Sequence, residues 1–245
     1  MRYLLLSWVG CLLCLSTMAL GEETCSSEFK LLLMPSELQL AVNSFHAGKS
    51  VTGRIYLFDT DSLDLLSRGV ILRVRRTGTK ADLMVKVRIP TDETVVGIGD
   101  ASQGYKCEID QSGDSSVRSY SVLTTLTGDV PNTGNDLSRL LSAGQRKLLD
   151  HAKVHLDWNA VKRIAEISST VWQIRKNPDV AKLTLELWQW PTGQLLEIST
   201  KAAPGTASDA VPLRNLVAEK GLSPDVNQMQ KTELVLRNIR KDSSP

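Results

Sequence analysis

The chain has 245 residues, of which 42% are hydrophobic and 23% charged, and its formal net charge is +2. This composition excludes a collagen-like or mostly disordered chain, because it supplies enough apolar side chains to bury a core. The near balance of charges and an aromatic content of 5% also predict no nucleic-acid-binding surface, which needs a clear excess of cations and rings for base stacking.

The first 21 residues have the pattern of a secretory signal peptide. A short basic start, Met1-Arg2, precedes an apolar run over residues 3–20, and the small residues Ala19 and Gly21 precede a cut after Gly21. An uncleaved membrane anchor is the alternative, because the run reaches the roughly 18 apolar residues that can span a bilayer. With cleavage, we expect a secreted or periplasmic protein that keeps no stable membrane span.

Export determines which cysteines remain in the mature protein and whether they can form a disulfide. Cys11 and Cys14 lie inside the apolar run, so cleavage leaves Cys25 and Cys107. An oxidising compartment permits one disulfide between these two residues. Two buried thiols are the alternative, because a disulfide requires a short Cα–Cα distance that the sequence does not supply.

Eight segments downstream of the apolar run have the alternation of apolar and polar residues that predicts β-strands. They are residues 26–34, 54–58, 70–76, 83–89, 105–110, 167–175, 182–188 and 194–200. A Trp-Pro-Thr-Gly turn over residues 190–193 joins the last two strands, which makes them a hairpin.

Six further segments are predicted to be helical, because their apolar residues recur at helical spacing or a capping residue precedes them. They are residues 36–45, a short helix capped by Asp59 or Thr60 that ends before Gly69, 116–126, 136–151 with Asp136 as its cap, 211–220 and 224–239. A loop rich in Gly, Asp and Thr is predicted over residues 90–104, and a disordered tail over residues 241–245.

The polar face of the predicted strands is unusually ionic. Side chains at positions i and i+2 share a face of a strand, so charges at this spacing align when strands pair. The aligned charges are Glu28 and Lys30, Arg73 and Arg75, Lys86 and Arg88, Lys106, Glu108 and Asp110, Glu186, and Glu197 and Lys201. Two arrangements fit this pattern: an open antiparallel sheet with a solvated ionic face, or a closed barrel with the charges inside and helices over its apolar outside.

Charges of both signs in one lumen indicate which ligands the lumen would bind. Clustered lysines and arginines repel one another unless an anion neutralises them, and the arginine fork matches phosphate oxygens. Carboxylates on the same face would oppose phosphate unless they hold a hard divalent cation that bridges to it. Such a lumen therefore indicates a metal–polyphosphate site.

One stretch of the chain is similar to a known family. Tyr56-Leu57-Phe58-Asp59-Thr60, then Gly69 and Leu72-Arg73-Val74-Arg75, resembles the Y-F-D-T … G … L-R-x-R signature of CYTH domains, the triphosphate tunnel metalloenzymes. Further matches in chain order are residues 26–30 at the opening E-x-E-x-K, Lys86, residues 106–110, residues 195–199 and Lys231-Thr232. The resemblance spans about residues 26 to 235.

The resemblance implies one CYTH-like domain over residues 22–240 with an α+β fold. Its core would be an antiparallel, eight-stranded closed β-barrel, a tunnel with a charged lumen flanked by helices. It also implies that the protein binds or hydrolyses a triphosphate-containing or polyphosphate small molecule with Mg²⁺ or Mn²⁺. The implied substrate-binding residues are Arg73, Arg75, Lys86, Arg88, Lys106 and Lys201. The implied metal ligands are Glu28, Glu197 and Glu186, and the implied catalytic residues are Lys30, Glu108 and Asp110.

Two serines depart from the family pattern. Ser26 and Ser199 stand where the family has carboxylates of its metal site, which predicts weakened metal binding, since affinity follows the charge of the ligands. A metal-dependent hydrolase and a non-catalytic polyphosphate-binding module therefore both fit the sequence. For each ionic residue, a purely structural salt bridge is the alternative role.

Overall fold

The structure, a computed structural model, describes residues 25–89, 104–174, 182–202 and 211–242. The predicted signal peptide over residues 1–21 lies outside the described residues, as do residues 90–103 of the predicted loop and residues 243–245 of the predicted tail. Within the described ranges, every helix is too short or too polar to cross a membrane.

Nine strands in the described part of the chain close into a barrel. They are β1 (Ser26–Leu33), β2 (Ser50–Asp59), β3 (Val70–Thr77), β4 (Lys80–Ile89), β5 (Tyr105–Ser112), β6 (Ser115–Leu126), β7 (Lys162–Ile174), β8 (Leu183–Trp190) and β9 (Gly193–Ala202). Around the barrel they follow the order β1-β5-β6-β4-β3-β2-β7-β8-β9, and β9 pairs with β1 to complete the ring. The barrel is closed, so the alternative of an open, solvated sheet is excluded.

The prediction of eight strands, all antiparallel, is wrong in two linked respects. The additional strand is β6, which covers the segment 116–126 that was predicted to be a helix. If all neighbours were antiparallel, strand directions would alternate around the ring, and this requires an even number of strands. An odd number forces a parallel pair, and here β1 and β5 are parallel, with Glu28 aligned with Asp110.

Alternation with a period of two defines β6. Tyr120 and Val122 pack into the outer apolar layer, whereas Ser119 and Ser121 are buried on the lumen side. Serine gives neither a hydrophobic nor an ionic signal, so this alternation is hard to recognise in the sequence. The β-branched and aromatic residues of the segment nevertheless favour a strand over a helix.

Helices cover the apolar outside of the barrel. The helices of the described residues are α1 (Leu38–Ser44), which follows a 3₁₀ turn at Pro35–Glu37, α2 (Asp64–Ser67), α3 (Gly134–Leu140), α4 (Ala143–His151), α5 (Val211–Glu219) and α6 (Lys231–Asp242). The outward side chains of β3, β4 and β6 pack with α3 and α4, and those of β1, β8 and β9 pack with α1 and α5. This burial of apolar surface on the outside leaves the inner face of the strands for polar groups.

The predicted helix over residues 136–151 is divided into α3 and α4. Ser142 begins α4 with a capping box: its hydroxyl accepts a hydrogen bond from the backbone N–H of Gln145, whose side chain accepts one from the N–H of Ser142. Thr133, rather than Asp136, caps α3. Each cap satisfies N–H groups that a helix start leaves free, so two short helices replace one long helix.

The predicted helix over residues 224–239 begins only at Lys231. The preceding segment crosses one end of the barrel, where the side chain of Gln228 donates a hydrogen bond to the carbonyl of Leu32 and accepts one from its N–H. Gly113, in the turn between β5 and β6, lies so close that a Cβ there would be 2.5 Å from Cβ of Gln228. The segment therefore seals the barrel beside the parallel pair.

Apolar side chains fill the same end of the barrel, which we call the closed end. Leu32, Trp188 and Leu195 occupy lumen positions of their strands and pack against Val235 and Leu236 of α6. All five side chains are buried. The lumen is therefore apolar at the closed end and ionic above it.

The sequence predicts Asp59 or Thr60 as the cap of α2, but Leu63 occupies the N-cap position, and Asp59 holds the start of the helix from outside it. Its buried carboxylate accepts hydrogen bonds from the backbone N–H groups of Thr60, Leu65 and Leu66. Gly69 follows α2 with φ at 72°, and a Cβ there would lie 2.6 Å from the carbonyl oxygen of Arg88. The predicted left-handed glycine is therefore confirmed, and the close approach to β4 also requires glycine.

Cys25 and Cys107 form a disulfide, with their Cα atoms 4.7 Å apart. The bond joins the residue before β1 to β5, beside the one parallel pair among the described strands. Of the two alternatives that the sequence leaves open, the structure contains the disulfide.

Candidate functional site

A cavity of about 340 Å³ lies inside the barrel above the closed end. Among the described residues, eight basic and four acidic side chains line it. Ten of these twelve side chains come from the barrel strands, at alternate positions as Arg73 and Arg75 of β3 illustrate, whereas Lys182 precedes β8 and Lys231 begins α6. A wall with this excess of cations attracts anions.

Three lysines and three carboxylates from the lumen faces of β1, β4, β5 and β9 form a closed ring of alternating charge. We call this ring the lysine–carboxylate cluster, and its members in order are Lys30, Glu28, Lys201, Glu108, Lys86 and Asp110. Each lysine contacts two carboxylates, and each carboxylate contacts two lysines. The six charges therefore compensate one another within the cluster.

Asp110 is the most deeply buried member of the cluster. Its carboxylate lies 2.7 Å from Nζ of Lys30 and 2.8 Å from Nζ of Lys86, and it accepts a hydrogen bond of 2.9 Å from the hydroxyl of Ser119. Burial alone would raise the pKa of Asp110, but the two lysines outweigh burial and hold the pKa well below its usual range. Asp110 is therefore an ionised anchor for both lysines behind the cavity wall.

Acid is expected to destabilise the protein through these carboxylates. Lysines hold the pKa values of Asp110 and Glu108 below their ordinary values despite burial, and Lys231 and Arg75 do the same for Glu186. A depressed folded-state pKa contributes stability that is present above the unfolded-state pKa of about 4 and is lost as the pH falls below it. We expect the free energy of unfolding, measured with urea, to be constant between about pH 5 and 7 and to fall steeply below about pH 4.

Two variants provide a check on the origin of this pH dependence. Glu108→Gln should reduce the acid slope of the unfolding free energy, because it removes one depressed carboxylate. Glu166→Gln, which removes the exposed ion pair with Arg54 on the outside of the barrel, should leave the slope unchanged. Equal slopes in all three proteins would contradict the assignment.

A second ionic group, which we call the glutamate pair, consists of Glu186 on β8 and Glu197 on β9. The two residues are directly opposite each other in the register of these strands. Lys231 at the start of α6 contacts both carboxylates, and its Nζ lies 2.6 Å from Oε1 of Glu197. Oε1 of Glu186 also accepts hydrogen bonds from Arg75 and from the hydroxyl of Ser169.

One oxygen of the glutamate pair has no hydrogen-bond partner. Oε2 of Glu197 is buried and unpartnered among the described residues, although Glu197 lines the cavity. A buried carboxylate oxygen without a donor is costly, and it marks a position at which a cation or a donor group of a ligand would be stabilising.

Two arginines in the lumen form no ion pair with a described residue. One amino group of Arg73 contacts the sulfur of Met84, and one of Arg88 donates to Oε1 of Gln230. Burial, together with nearby Arg75, lowers the pKa of Arg73 to about 10, and burial also lowers the pKa of Arg88. Both guanidinium groups stay charged at neutral pH and lie against the cavity with capacity for an anion.

The structure brings most of the predicted site residues together. Ten of the twelve line the cavity, including Arg73, Lys86 and Glu197, which are thus confirmed as lumen residues. Asp110 lies behind the wall. Lys106 shares the strand face of Glu108, but it is exposed at the start of β5 and does not line the cavity, so its predicted place in the site is wrong.

Sequence reasoning assigned no role to three residues that complete the lumen. Gln230 and Lys231 enter the wall from the start of α6, and Ser169 supports Glu186 from β7. Lys231 was visible as a match to the family motif, whereas a lone serine or glutamine gives no signal. Their places depend on the path of residues 224–230 and on strand pairing.

The resemblance implies a divalent cation, and the residues present fit one. The carboxylate oxygens of Glu28, Glu108 and Asp110 lie within 4.8 Å of one another, and Oε2 of Glu197 is buried without a partner. Carboxylate oxygens are the ligands that Mg²⁺ and Mn²⁺ prefer. Lysines contact the first three carboxylates, so the unpartnered oxygen of Glu197 is the readiest ligand.

The closed barrel, its ionic lumen and the helix at its closed end define a β-barrel tunnel protein. No family model matches the chain, and no curated protein matches it in sequence. Solved structures match its fold, and two of them have a TM-score of 0.59.

One of the two is a proposed adenylyl cyclase from Hippeastrum, described as having a dominant triphosphatase activity, with 19% identity over 86% of this chain and 94% of that chain. The other is a proposed adenylate cyclase from Bacillus halodurans, with 14% identity over 86% of this chain and 97% of that chain. The chain therefore shares the fold of these two structures, as the resemblance stated from the sequence leads one to expect.

Proposed function

We propose that the tunnel binds the triphosphate or polyphosphate group of a small molecule. The observation that carries the proposal is the pair of half-buried arginines, Arg73 and Arg88, which face the cavity and lack a carboxylate partner among the described residues. A partly desolvated cation without an ion-pair partner costs free energy, and a bound anion reduces that cost. Each guanidinium fork matches two oxygens of one phosphate group.

The position of Arg73 supports a ligand with several phosphates. Its charge interacts with Glu186 of the glutamate pair on one side and with Glu28 and Glu108 of the lysine–carboxylate cluster on the other. A phosphate on Arg73 would therefore lie between the two ionic groups. Adjacent phosphates of a chain would then reach Arg88 and Lys86, which also line the cavity.

The charge of such a ligand suits a divalent cation at the carboxylates. Glu28 and the unpartnered oxygen of Glu197, which belong to different ionic groups, would each be a ligand for Mg²⁺ or Mn²⁺, which would offset phosphate charge and polarise a phosphoryl oxygen. Ser26 and Ser199 supply no charge at the positions where the family has carboxylates. We therefore propose that metal affinity is low without phosphate and rises when phosphate oxygens complete the ligand set.

Hydrolysis is the second candidate function, beside binding alone. The Hippeastrum protein that shares the fold has a dominant triphosphatase activity, and Oε2 of Glu197 is an acceptor that can orient a water. Glu108 and Asp110, the carboxylates among the implied catalytic residues, are engaged by lysines instead. Phosphate release from tripolyphosphate with Mg²⁺ or Mn²⁺ would establish hydrolysis. Binding without release would establish a binding module.

Replacing Arg73 with methionine is expected to weaken tripolyphosphate binding by about 10- to 100-fold, since a charge-assisted hydrogen bond contributes about 1.5–3 kcal/mol. The same change removes a half-buried cation that forms no direct ion pair with a described residue in the free protein. The melting temperature of the ligand-free variant should therefore be equal to or higher than that of the wild type. Isothermal titration calorimetry gives the affinity, and differential scanning calorimetry gives the stability.

Arg76→Met is the matched control. Arg76 follows Arg75 on β3, but its side chain lies outside the lumen and bonds to the carbonyl of Gly128. This variant should bind tripolyphosphate like the wild type. The proposal fails if the wild type does not bind tripolyphosphate, or if Arg73→Met binds it equally well.

We also propose that the protein acts outside the cytosol. The apolar leader with its small-residue site and the disulfide between Cys25 and Cys107 support this placement, because structural disulfides persist in oxidising compartments. Sequencing of the exported protein should find Glu22 at its amino terminus. An intact leader would contradict cleavage, and recovery of the folded protein from the cytosol would overturn the placement.

A further inference from the structure

The glutamate pair places two negative charges side by side in a buried position. Glu186 and Glu197 are direct cross-strand partners on the lumen face, and both are buried. Like charges that are directly opposite on neighbouring strands destabilise a sheet, and burial strengthens their repulsion. Two ionised carboxylates at this position therefore require a cation between them.

The protein supplies that cation from its last described helix. Nζ of Lys231 contacts Oε2 of Glu186 and Oε1 of Glu197, so a single ammonium bridges the two carboxylates. It also lies 4.9 Å from the centre of the Trp188 ring, which provides a cation–π contact. Because Lys231 is the first residue of α6, which packs in the closed end, the ammonium is fixed in place.

We propose that the ammonium of Lys231 occupies the position of a divalent cation between Glu186 and Glu197, so that the pair is a latent metal site filled by the protein's own side chain. The inference concerns the same tunnel as the proposed function, but it rests only on these ion pairs and does not require a phosphate ligand.

The charges around the pair explain why no metal is expected to enter while Lys231 is present and phosphate is absent. Lys231 and Arg75 together balance the two glutamates. A divalent cation added to this balanced group would leave two uncompensated positive charges in a desolvated site, which is unfavourable. Removal of the ammonium would leave one net negative charge and free oxygens on both glutamates, including the unpartnered Oε2 of Glu197. That set suits Mn²⁺.

Lys231→Met is the direct test, because methionine keeps an apolar stem of similar length and removes the charge. The protein would be titrated with Mn²⁺ in phosphate-free buffer, with bound Mn²⁺ followed by electron paramagnetic resonance. The variant is expected to gain one Mn²⁺ site that binds at least about tenfold more tightly than any site of the wild type. Because Mn²⁺ is paramagnetic, its binding beside Trp188 should also quench tryptophan fluorescence in the variant.

Three further variants assign the gained site. Lys231→Arg keeps the cation and should gain no Mn²⁺ binding. Lys201→Met removes an ammonium from the lysine–carboxylate cluster instead. Addition of Mn²⁺ to this variant should quench tryptophan fluorescence no more than it does in the wild type. Adding Glu197→Gln to Lys231→Met should abolish the gained site.

The inference is overturned if folded Lys231→Met gains no Mn²⁺ affinity, or if the gain survives Glu197→Gln. If Lys231→Met does not fold alone, addition of Mn²⁺ should restore its native circular dichroism, and absence of that rescue would also overturn the inference. None of these titrations contains a phosphate compound. Their outcome is therefore separate from that of the tripolyphosphate experiments.

Discussion

Replacing Asp110 with alanine is expected to lower the free energy of unfolding by about 3–5 kcal/mol, the cost of breaking a buried ion pair by removing one partner. Asp110 is fully buried and contacts both Lys30 and Lys86, so its loss opens the ring of alternating charge at two places. Each lysine would keep one carboxylate, Glu28 or Glu108, at 3.0 or 3.2 Å. Urea denaturation near pH 7 measures the effect.

Two control variants separate the buried charge from general effects of mutation in this hairpin. Asp114 lies in the turn between β5 and β6 and forms an exposed ion pair with Arg214 of α5. Asp114→Ala removes this ion pair and should not change stability measurably. Asp110→Asn keeps the shape of the side chain but not its charge, and it should be clearly less stable than the wild type. If Asp110→Asn and Asp114→Ala had the same small effect, Asp110 would not anchor the lysines.

Loss of the disulfide is expected to cost about 4.5 kcal/mol, the value for a loop of this length in the chain-entropy account. The bond joins Cys25 and Cys107 across 82 positions of the chain. It also fastens β1 to β5, whose pairing extends over only five aligned residue pairs. Guanidinium denaturation of the protein with Cys25→Ser and Cys107→Ser, compared with the oxidised wild type, measures the loss.

Reduction provides an independent check on this value. The wild type in reducing buffer should match the double serine variant, and the reductant should not affect the variant itself. A difference below about 1 kcal/mol between oxidised and reduced wild type would contradict the prediction, since it would mean that the barrel closes equally well without the bond.

Much of the lumen could be predicted from the sequence because side-chain direction in a strand is a local property. Arg73 and Arg75, or Lys86 and Arg88, must share a face wherever the strand lies. The pattern also contained Asp59 and Gly69, whose roles at α2 depend on neighbours only a few residues away. What alternation alone did not determine was whether the ionic faces turn inward. That depends on closure of the ring.

The elements that were missed depend on contacts between distant parts of the chain. β6 was predicted to be helical because Ser119 and Ser121 weaken its alternation. This additional strand makes the number of strands odd, and an odd number forces the parallel pair of β1 and β5. Lys106 lies on the same strand face as Glu108, as its spacing predicts, but its position along the barrel is outside the cavity. Only the register of the strands shows that position. Lys231 reaches the glutamate pair because residues 224–230 cross the end of the barrel instead of continuing α6.

The position of β1 between β5 and β9 has a consequence for how the protein is made. During synthesis the first strand emerges long before β9, and α6 emerges later still, so the ring cannot be completed while the ribosome is still producing these elements. Contacts between residues far apart in sequence also form slowly, because a large loop must be closed first. Until then, the apolar outer faces of the early strands are exposed to aggregation. The nascent polypeptide should therefore depend on chaperones until β9 and α6 have emerged.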